Sequence, residues 1–305
     1  MSNTATRILV AIAAIPVIVF LILQGSWFFA FFVMIISAVA LHEFYNLARA
    51  KNISPNAQIG MVAGIGLQAT LAASNFGLIP TQFSMMAFIG IIIAFTLAAI
   101  ALELRRALEN PLLNIATTIM GVMYVPVFFA CLIQIRQFYS ALSYENGAFL
   151  KTAPNLPAFP GDSTTLNDWG GTFILLVFVS IWLCDSVAFF VGKSFGNHKL
   201  FPRVSPGKSW EGAIAGFISS AVGFPLLAHY FLPGFPLHHA IAIGIITGSI
   251  SQIGDLSESL LKRDAGIKDS SNYIPGHGGF LDRFDSLLFI APAVYVYLLI
   301  VSYLV

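Results

Sequence analysis

An all-α, polytopic membrane fold follows from three observations. Charged residues make up only 10% of the 305-residue chain and hydrophobic residues 57%, whereas a soluble globular domain carries about 25% charged residues. The apolar residues fall into runs near the roughly 20 positions that a helix needs to cross the hydrocarbon core. Lys and Arg collect in alternate connections between those runs, as expected of a chain with a fixed orientation in a bilayer.

Nine spans are predicted: 7–23, 27–46, 57–75, 84–103, 112–135, 170–192, 210–232, 237–256 and 286–305. The first follows only Arg7 and has the length of a secretory leader. It has no small-x-small cleavage site at its far end and leads at once into SWFFAFFVMIISAVAL, so it is expected to stay as a membrane helix. With the N-terminus in the cytoplasm, the inner side holds Arg7, Arg49, Lys51, Arg105, Arg106, Lys193, Lys199, Arg203, Lys208, Lys262, Arg263, Lys268 and Arg283. The outer side holds only Arg136 and Lys151. One missed or invented span would scramble that asymmetry.

The longest outer connection, 136–169, is rich in Pro, Asn, Asp, Ser and Thr and is expected to be an irregular extracytoplasmic loop. The inner connections 193–209 and 257–285 carry most of the charge of the C-terminal half. The expected organisation is a scaffold of five spans over 1–135, the outer loop, and a catalytic half of four spans over 170–305. Cys131 and Cys184 both lie in apolar runs and read as small buried residues, which excludes a disulfide framework. The histidines His42, His229, His238 and His239 show no ligand spacing, and GxSxG, HExxH and a Rossmann fingerprint are absent.

Four places carry chemistry. In GDLSESLLKRDAGIKD, a helix continuing past the membrane surface puts Asp255, Glu258 or Ser259, and Lys262 on one face. Carboxylates and bases together suit a metal–phosphate site, although Glu258–Lys262 is equally an ordinary i,i+4 pair. PGHGGFLDRFD breaks helix and strand at Pro275 and its glycines, then opens the last span with Asp282 and Asp285 one turn apart. Asp at a helix start is often only a cap. Capping does not account for His277, Gly278, Gly279 and Arg283 in the same stretch. SPGKSWEG offers Ser205, Lys208 and backbone amides to a phosphate without meeting P-loop spacing. Asp185, in IWLCDSVAFF, is an acid inside a span and must face protein, water or a cation. Glu43, in LHEFY, is expected to be interfacial.

The stretch Ser259 to Asp285 resembles the signature of the phosphatidate cytidylyltransferases, also called CDP-diacylglycerol synthases. Its fixed positions correspond here to Ser259, Lys262, Arg263, Lys268, Asp269, His277, Gly278, Gly279, Asp282, Arg283 and Asp285. CDSVAFFVGKSFGNHKL and SPGKSWEG resemble the family's central block, with Ser209 where Thr is commoner. Strong resemblance covers about 182–285; the Glu-Phe after span two is a weaker match.

The resemblance implies that a phosphatidic acid oxygen attacks the α-phosphorus of CTP, giving CDP-diacylglycerol and pyrophosphate with Mg²⁺ required. Asp255 and Asp282 correspond to metal-binding acids and are expected to converge on one divalent ion, with Asp285 and Asp185 in support. Lys262, Arg263, Lys268 and Arg283, with Ser205, Lys208, Ser259, Gly278 and Gly279, would share the phosphates, and His277 would meet pyrophosphate or brace the glycine turn. Such chemistry needs positioning and charge neutralisation more than covalent help. A second cation and a homodimer are compatible with this pattern, and no nucleic acid is expected as partner. CTP is a cytosolic substrate and phosphatidate a membrane lipid, so a site facing the cytoplasm in a bacterial-type inner or plasma membrane is expected. The rivals are a CTP-dependent lipid kinase built from the same parts and an ion-coupled transporter using Asp185 and Asp255.

Overall fold

The computed structural model describes residues 3–145 and 163–303. Its helices are α1 (Asn3–Gln24), α2 (Ser26–Ala50), α3 (Ala57–Asn75), α4 (Thr81–Arg106), α5 (Pro111–Tyr124), α6 (Pro126–Glu145), α7 (Ser163–Phe195), α8 (Trp210–Phe231), α9 (Leu237–Asp264) and α10 (Leu281–Tyr303). Strands β1 (Lys199–Phe201) and β2 (Ser205–Ser209) lie between α7 and α8. Among the described residues, eight segments are long and apolar enough to cross a membrane, and Ile8–Gln24 forms a shorter apolar helix. The fold class is therefore the all-α polytopic one. α5 and α6 make one span, Pro111–Phe138, interrupted at Val125, where Pro126 supplies no N–H to a continuing helix.

One expectation about a connection is corrected, and a second connection gains local structure. The predicted outer loop 136–169 is helical at both ends, since α6 runs to Glu145 and α7 begins at Ser163; the Pro-rich centre lies outside the described residues. The inner connection 193–209, for which no local structure was expected, holds an antiparallel hairpin pairing Lys199 with Ser209 and Phe201 with Ser205. Its cause is local: α7 and α8 pack together, so the short chain joining Phe195 to Trp210 turns back on itself and pairs its own backbone. The helical extension beyond span eight is present, because α9 runs through Asp264.

The chain divides into two compact units. The first comprises Met1–Gln134 and Leu261–Phe284. Its core joins α3, α4 and α5 through Ala63, Leu67, Phe95 and Val122. Tyr45 of α2 is fully buried beside Gly60 and Gly121 and donates its hydroxyl to the Thr118 carbonyl at 2.8 Å. Several buried polar groups in this unit find protein partners, as a low-dielectric surround favours. Asn114 donates to Glu103 Oε1 at 2.6 Å and accepts from the Ser54 N–H at 2.7 Å. α4 leaves Phe83, Met86, Ile89, Ile93 and Leu97 exposed, an apolar face suited to lipid.

The second unit comprises Ile135–Leu260 and Asp285–Val305. It is packed by small residues, the usual device where helices gain nothing from leaving apolar lipid. Gly212 and Gly216 of α8 lie against α7, and a Cβ on either would come within 2.5 Å of the Ala188 oxygen or 2.7 Å of the Cys184 oxygen. Gly244 and Gly248 of α9 lie as closely against α8. The buried hydroxyls of Ser180 and Ser220 bond across α7 and α8 at 2.6 Å.

Candidate active site

In the first unit, the tip of α9, the segment 265–280 and the first turn of α10 assemble a charged constellation. The Lys262 ammonium lies 2.6 Å from Asp282 Oδ1, with side chains only 12% and 4% exposed. Asp282 Oδ2 accepts from the Ser270 N–H at 2.9 Å, the Ser270 hydroxyl at 2.9 Å and the Gly279 N–H at 2.8 Å. Asp282 thus ties the two ends of the glycine segment together, beyond simple helix capping. Gly278 has φ +82°, a region that side-chain-bearing residues avoid. Gly279 is needed for space: a Cβ there would collide with Ser270 Oγ and come within 2.6 Å of both Glu43 carboxylate oxygens.

Glu43 is the residue that sequence reasoning missed. Expected only as an acid near the inner surface, it is fully buried within the protein in α2. Oε1 accepts from the Ser271 hydroxyl at 2.5 Å and the Phe280 N–H at 3.0 Å; Oε2 accepts from the Ser270 hydroxyl at 3.1 Å and the Leu281 N–H at 2.7 Å. The sequence hinted at it only through an acid at the end of an apolar run and the weak Glu-Phe match, and its partners lie more than 220 positions away. His277 donates its N–H to the Ile274 oxygen at 2.9 Å, and its ring Nδ1 is buried with no hydrogen-bond partner among the described residues. Arg263 donates to the Ile267 carbonyl at 3.2 Å and is otherwise exposed, as are Lys268 and Arg283.

In the second unit, the Lys208 ammonium of β2 lies 2.7 Å from Asp255 Oδ2 of α9. Ser259, one turn on, donates to Asp255 Oδ1 at 3.3 Å. Asp185 of α7 is accessible and within electrostatic reach of both Asp255 and Lys208. The structure thus brings together Asp185, Lys208, Asp255 and Ser259 from three distant stretches of chain. Ser205 is half-buried at the start of β2. Asp285 is half-buried where α10 meets α9; a Cβ on Gly254 would come within 2.7 Å of the Asp285 carbonyl. The hairpin is closed by Glu211, which accepts from the His198 N–H at 3.2 Å and pairs with its Nδ1 at 2.6 Å. Cys184 is buried, Cys131 partly so, and both are free thiols.

No group of three or more His, Cys, Asp or Glu side chains able to hold a metal ion is present among the described residues. The donor set nevertheless fits Mg²⁺, which binds oxygen and commonly takes one or two carboxylates, completing its shell with water and substrate phosphates. Asp185 and Asp255 would supply such carboxylates, and the Lys208 ammonium beside Asp255 would suit a phosphate.

The model of the cytidylyltransferase family matches residues 5–301. The chain is 32% identical over 310 residues to the phosphatidate cytidylyltransferase of Bacillus subtilis, covering 99% of this chain and 100% of that protein. It is 31% identical over 304 residues to the Synechocystis phosphatidate cytidylyltransferase, covering 96% of each. A shorter match, 46% identical over 138 residues, joins it to the Haemophilus influenzae phosphatidate cytidylyltransferase and covers 42% of this chain and 46% of that one. With a family match that runs through both units and every charged segment just described, the chain belongs to the cytidylyltransferase family.

Proposed function

We propose that this membrane nucleotidyltransferase forms CDP-diacylglycerol and pyrophosphate from CTP and phosphatidic acid. The observation that carries the reading is the pairing of two motif lysines with carboxylates, Lys262 with Asp282 and Lys208 with Asp255, in a chain that matches the family throughout. A phosphate oxygen of phosphatidate attacks the α-phosphorus of CTP, a new P–O bond forms, and the bond from the α-phosphorus to the bridging oxygen breaks. Pyrophosphate leaves with that electron pair. The attacking phosphate is already anionic near neutral pH, so the protein's task is to hold phosphates in line and offset charge.

Lys208, Lys262, Arg263, Lys268 and Arg283 are assigned to the phosphates, with Ser205, Ser259, Gly278 and Gly279 beside them. The orphaned His277 Nδ1 supports a hydrogen bond from that ring to a ligand oxygen. Asp255 and Asp282 are assigned first, and Asp185 and Asp285 second, to Mg²⁺. When bound, that ion would neutralise charge on the CTP phosphates. The Lys and Arg asymmetry supports a cytoplasmic side for both charged connections, where CTP is available and phosphatidate presents its headgroup.

Incubation of purified protein with phosphatidate and CTP labelled at either the α- or the γ-phosphorus tests the reading. The α-label should enter the lipid and the γ-label leave as pyrophosphate. Transfer of the γ-label to lipid would make the chain a kinase, and absence of any turnover would count against an enzyme of this class.

A further inference from the structure

Glu43 is a fully buried carboxylate in α2, and none of the phosphate chemistry assigned above uses it. Its four hydrogen bonds come in two pairs, each pair joining one serine at the start of the 270–281 segment to one backbone N–H at its end. A single buried carboxylate therefore closes that segment into a ring. Ser270 Oγ lies 3.1 Å from Glu43 Oε2 and 2.9 Å from Asp282 Oδ2. One hydroxyl has one proton, so Ser270 can donate to only one of these acids at a time, and the placement of either carboxylate is felt by the other. The empty space at Gly279 is what lets the segment approach Glu43 this closely.

We infer that Glu43 is a positioning residue for nucleotidyl transfer: by gripping both ends of the Ser270–Leu281 segment it fixes the orientation in which Asp282 and Lys262 meet their ligands. This rests on the proposed assignment of Asp282 to the cation. Groups that orient a ligating carboxylate typically change metal affinity or activity by about 10- to 100-fold when removed. Glu43→Gln is the informative change, because it keeps length and shape. Its one carbonyl oxygen can serve one pair of donors, but its NH₂ then faces a backbone N–H of Phe280 or Leu281 that cannot accept.

The test uses the full chain in lipid nanodiscs, comparing wild type, Glu43→Gln, Ser271→Ala and Asp282→Asn. Mn²⁺ binding is read by electron paramagnetic resonance, amide hydrogen exchange in metal-free protein reports on 270–281, and the Mg²⁺ dependence of turnover is measured per folded molecule. Glu43→Gln should speed exchange in that segment, weaken Mn²⁺ binding by about tenfold and raise the Mg²⁺ requirement in parallel. Ser271→Ala should move each readout the same way by less.

Unchanged exchange and unchanged Mn²⁺ affinity in Glu43→Gln would overturn the inference. So would a loss confined to the amount of folded protein, which is what a merely structural brace predicts. If Glu43→Gln does not fold, Ser271→Ala and Ser270→Ala decide, and normal Mn²⁺ affinity in both would sink the idea. Normal Mn²⁺ binding in Asp282→Asn instead removes Asp282 from the cation. The positioning role then stands or falls on segment exchange and turnover in Glu43→Gln.

Discussion

Two lysine–carboxylate pairs show at the residue scale how burial sets the worth of the same chemistry. Lys262 and Asp282 are 12% and 4% exposed, whereas Lys51 and Asp264, also 2.6 Å apart, are 40% and 59% exposed. An exposed pair contributes about 0–1 kcal/mol; removing one partner of a buried pair leaves an uncompensated charge and costs about 3–5 kcal/mol. Lys262→Met should therefore lower thermal stability markedly and abolish turnover, while Lys51→Met should leave both near wild type, as thermal unfolding in detergent and the CTP assay would record. Gly279→Ala is expected to be damaging for a steric reason. Its methyl group would overlap Ser270 and Glu43, an overpacking cost of about 1–3 kcal/mol. The measurable outcome is a lower unfolding temperature and impaired turnover. Gly90→Ala is the matching control, since nothing lies within 4 Å of its Cβ position, and it should be neutral. Of these residues, Asp282, Lys262 and Gly279 stood out in the sequence as polar or Gly-rich interruptions. Glu43 did not, because its significance comes from partners brought to it only by folding.

At the scale of elements, length and composition revealed the membrane helices, since 20 apolar residues in a row have few other fates. The helical extension of α9 to Asp264 was legible too, from acids and bases at three- and four-residue spacing. The hairpin of β1 and β2 was not. Its residues KLF and SPGKS carry no alternating pattern, and it forms because the packed ends of α7 and α8 force the connecting chain to return. That packing depends on Gly212 and Gly216, whose Cα atoms let α8 reach the backbone of α7. Gly216→Leu should separate these helices and with them Asp185 from Lys208. The expected result is a lower unfolding temperature and loss of activity. Gly223→Ala, whose Cβ would meet only the flexible end of Leu183 at 3.0 Å, should be far milder.

Orientation is a property of the whole molecule. Thirteen of the 15 Lys and Arg residues fall on one side when the predicted spans alternate, and the proposed substrates require that side to be cytoplasmic. In a background with Cys131 and Cys184 replaced by Ala, Lys268→Cys should resist a membrane-impermeant thiol reagent in intact cells, and His238→Cys should react. The reverse pattern would turn the charged connections away from CTP. The activity itself is tested most directly by product stoichiometry in nanodiscs containing the purified chain, phosphatidate, CTP and Mg²⁺. Pyrophosphate and CDP-diacylglycerol should accumulate in equal amounts and disappear together in Asp255→Asn and Asp282→Asn. Nucleoside diphosphate without CDP-diacylglycerol, or full turnover in both variants, would contradict the account.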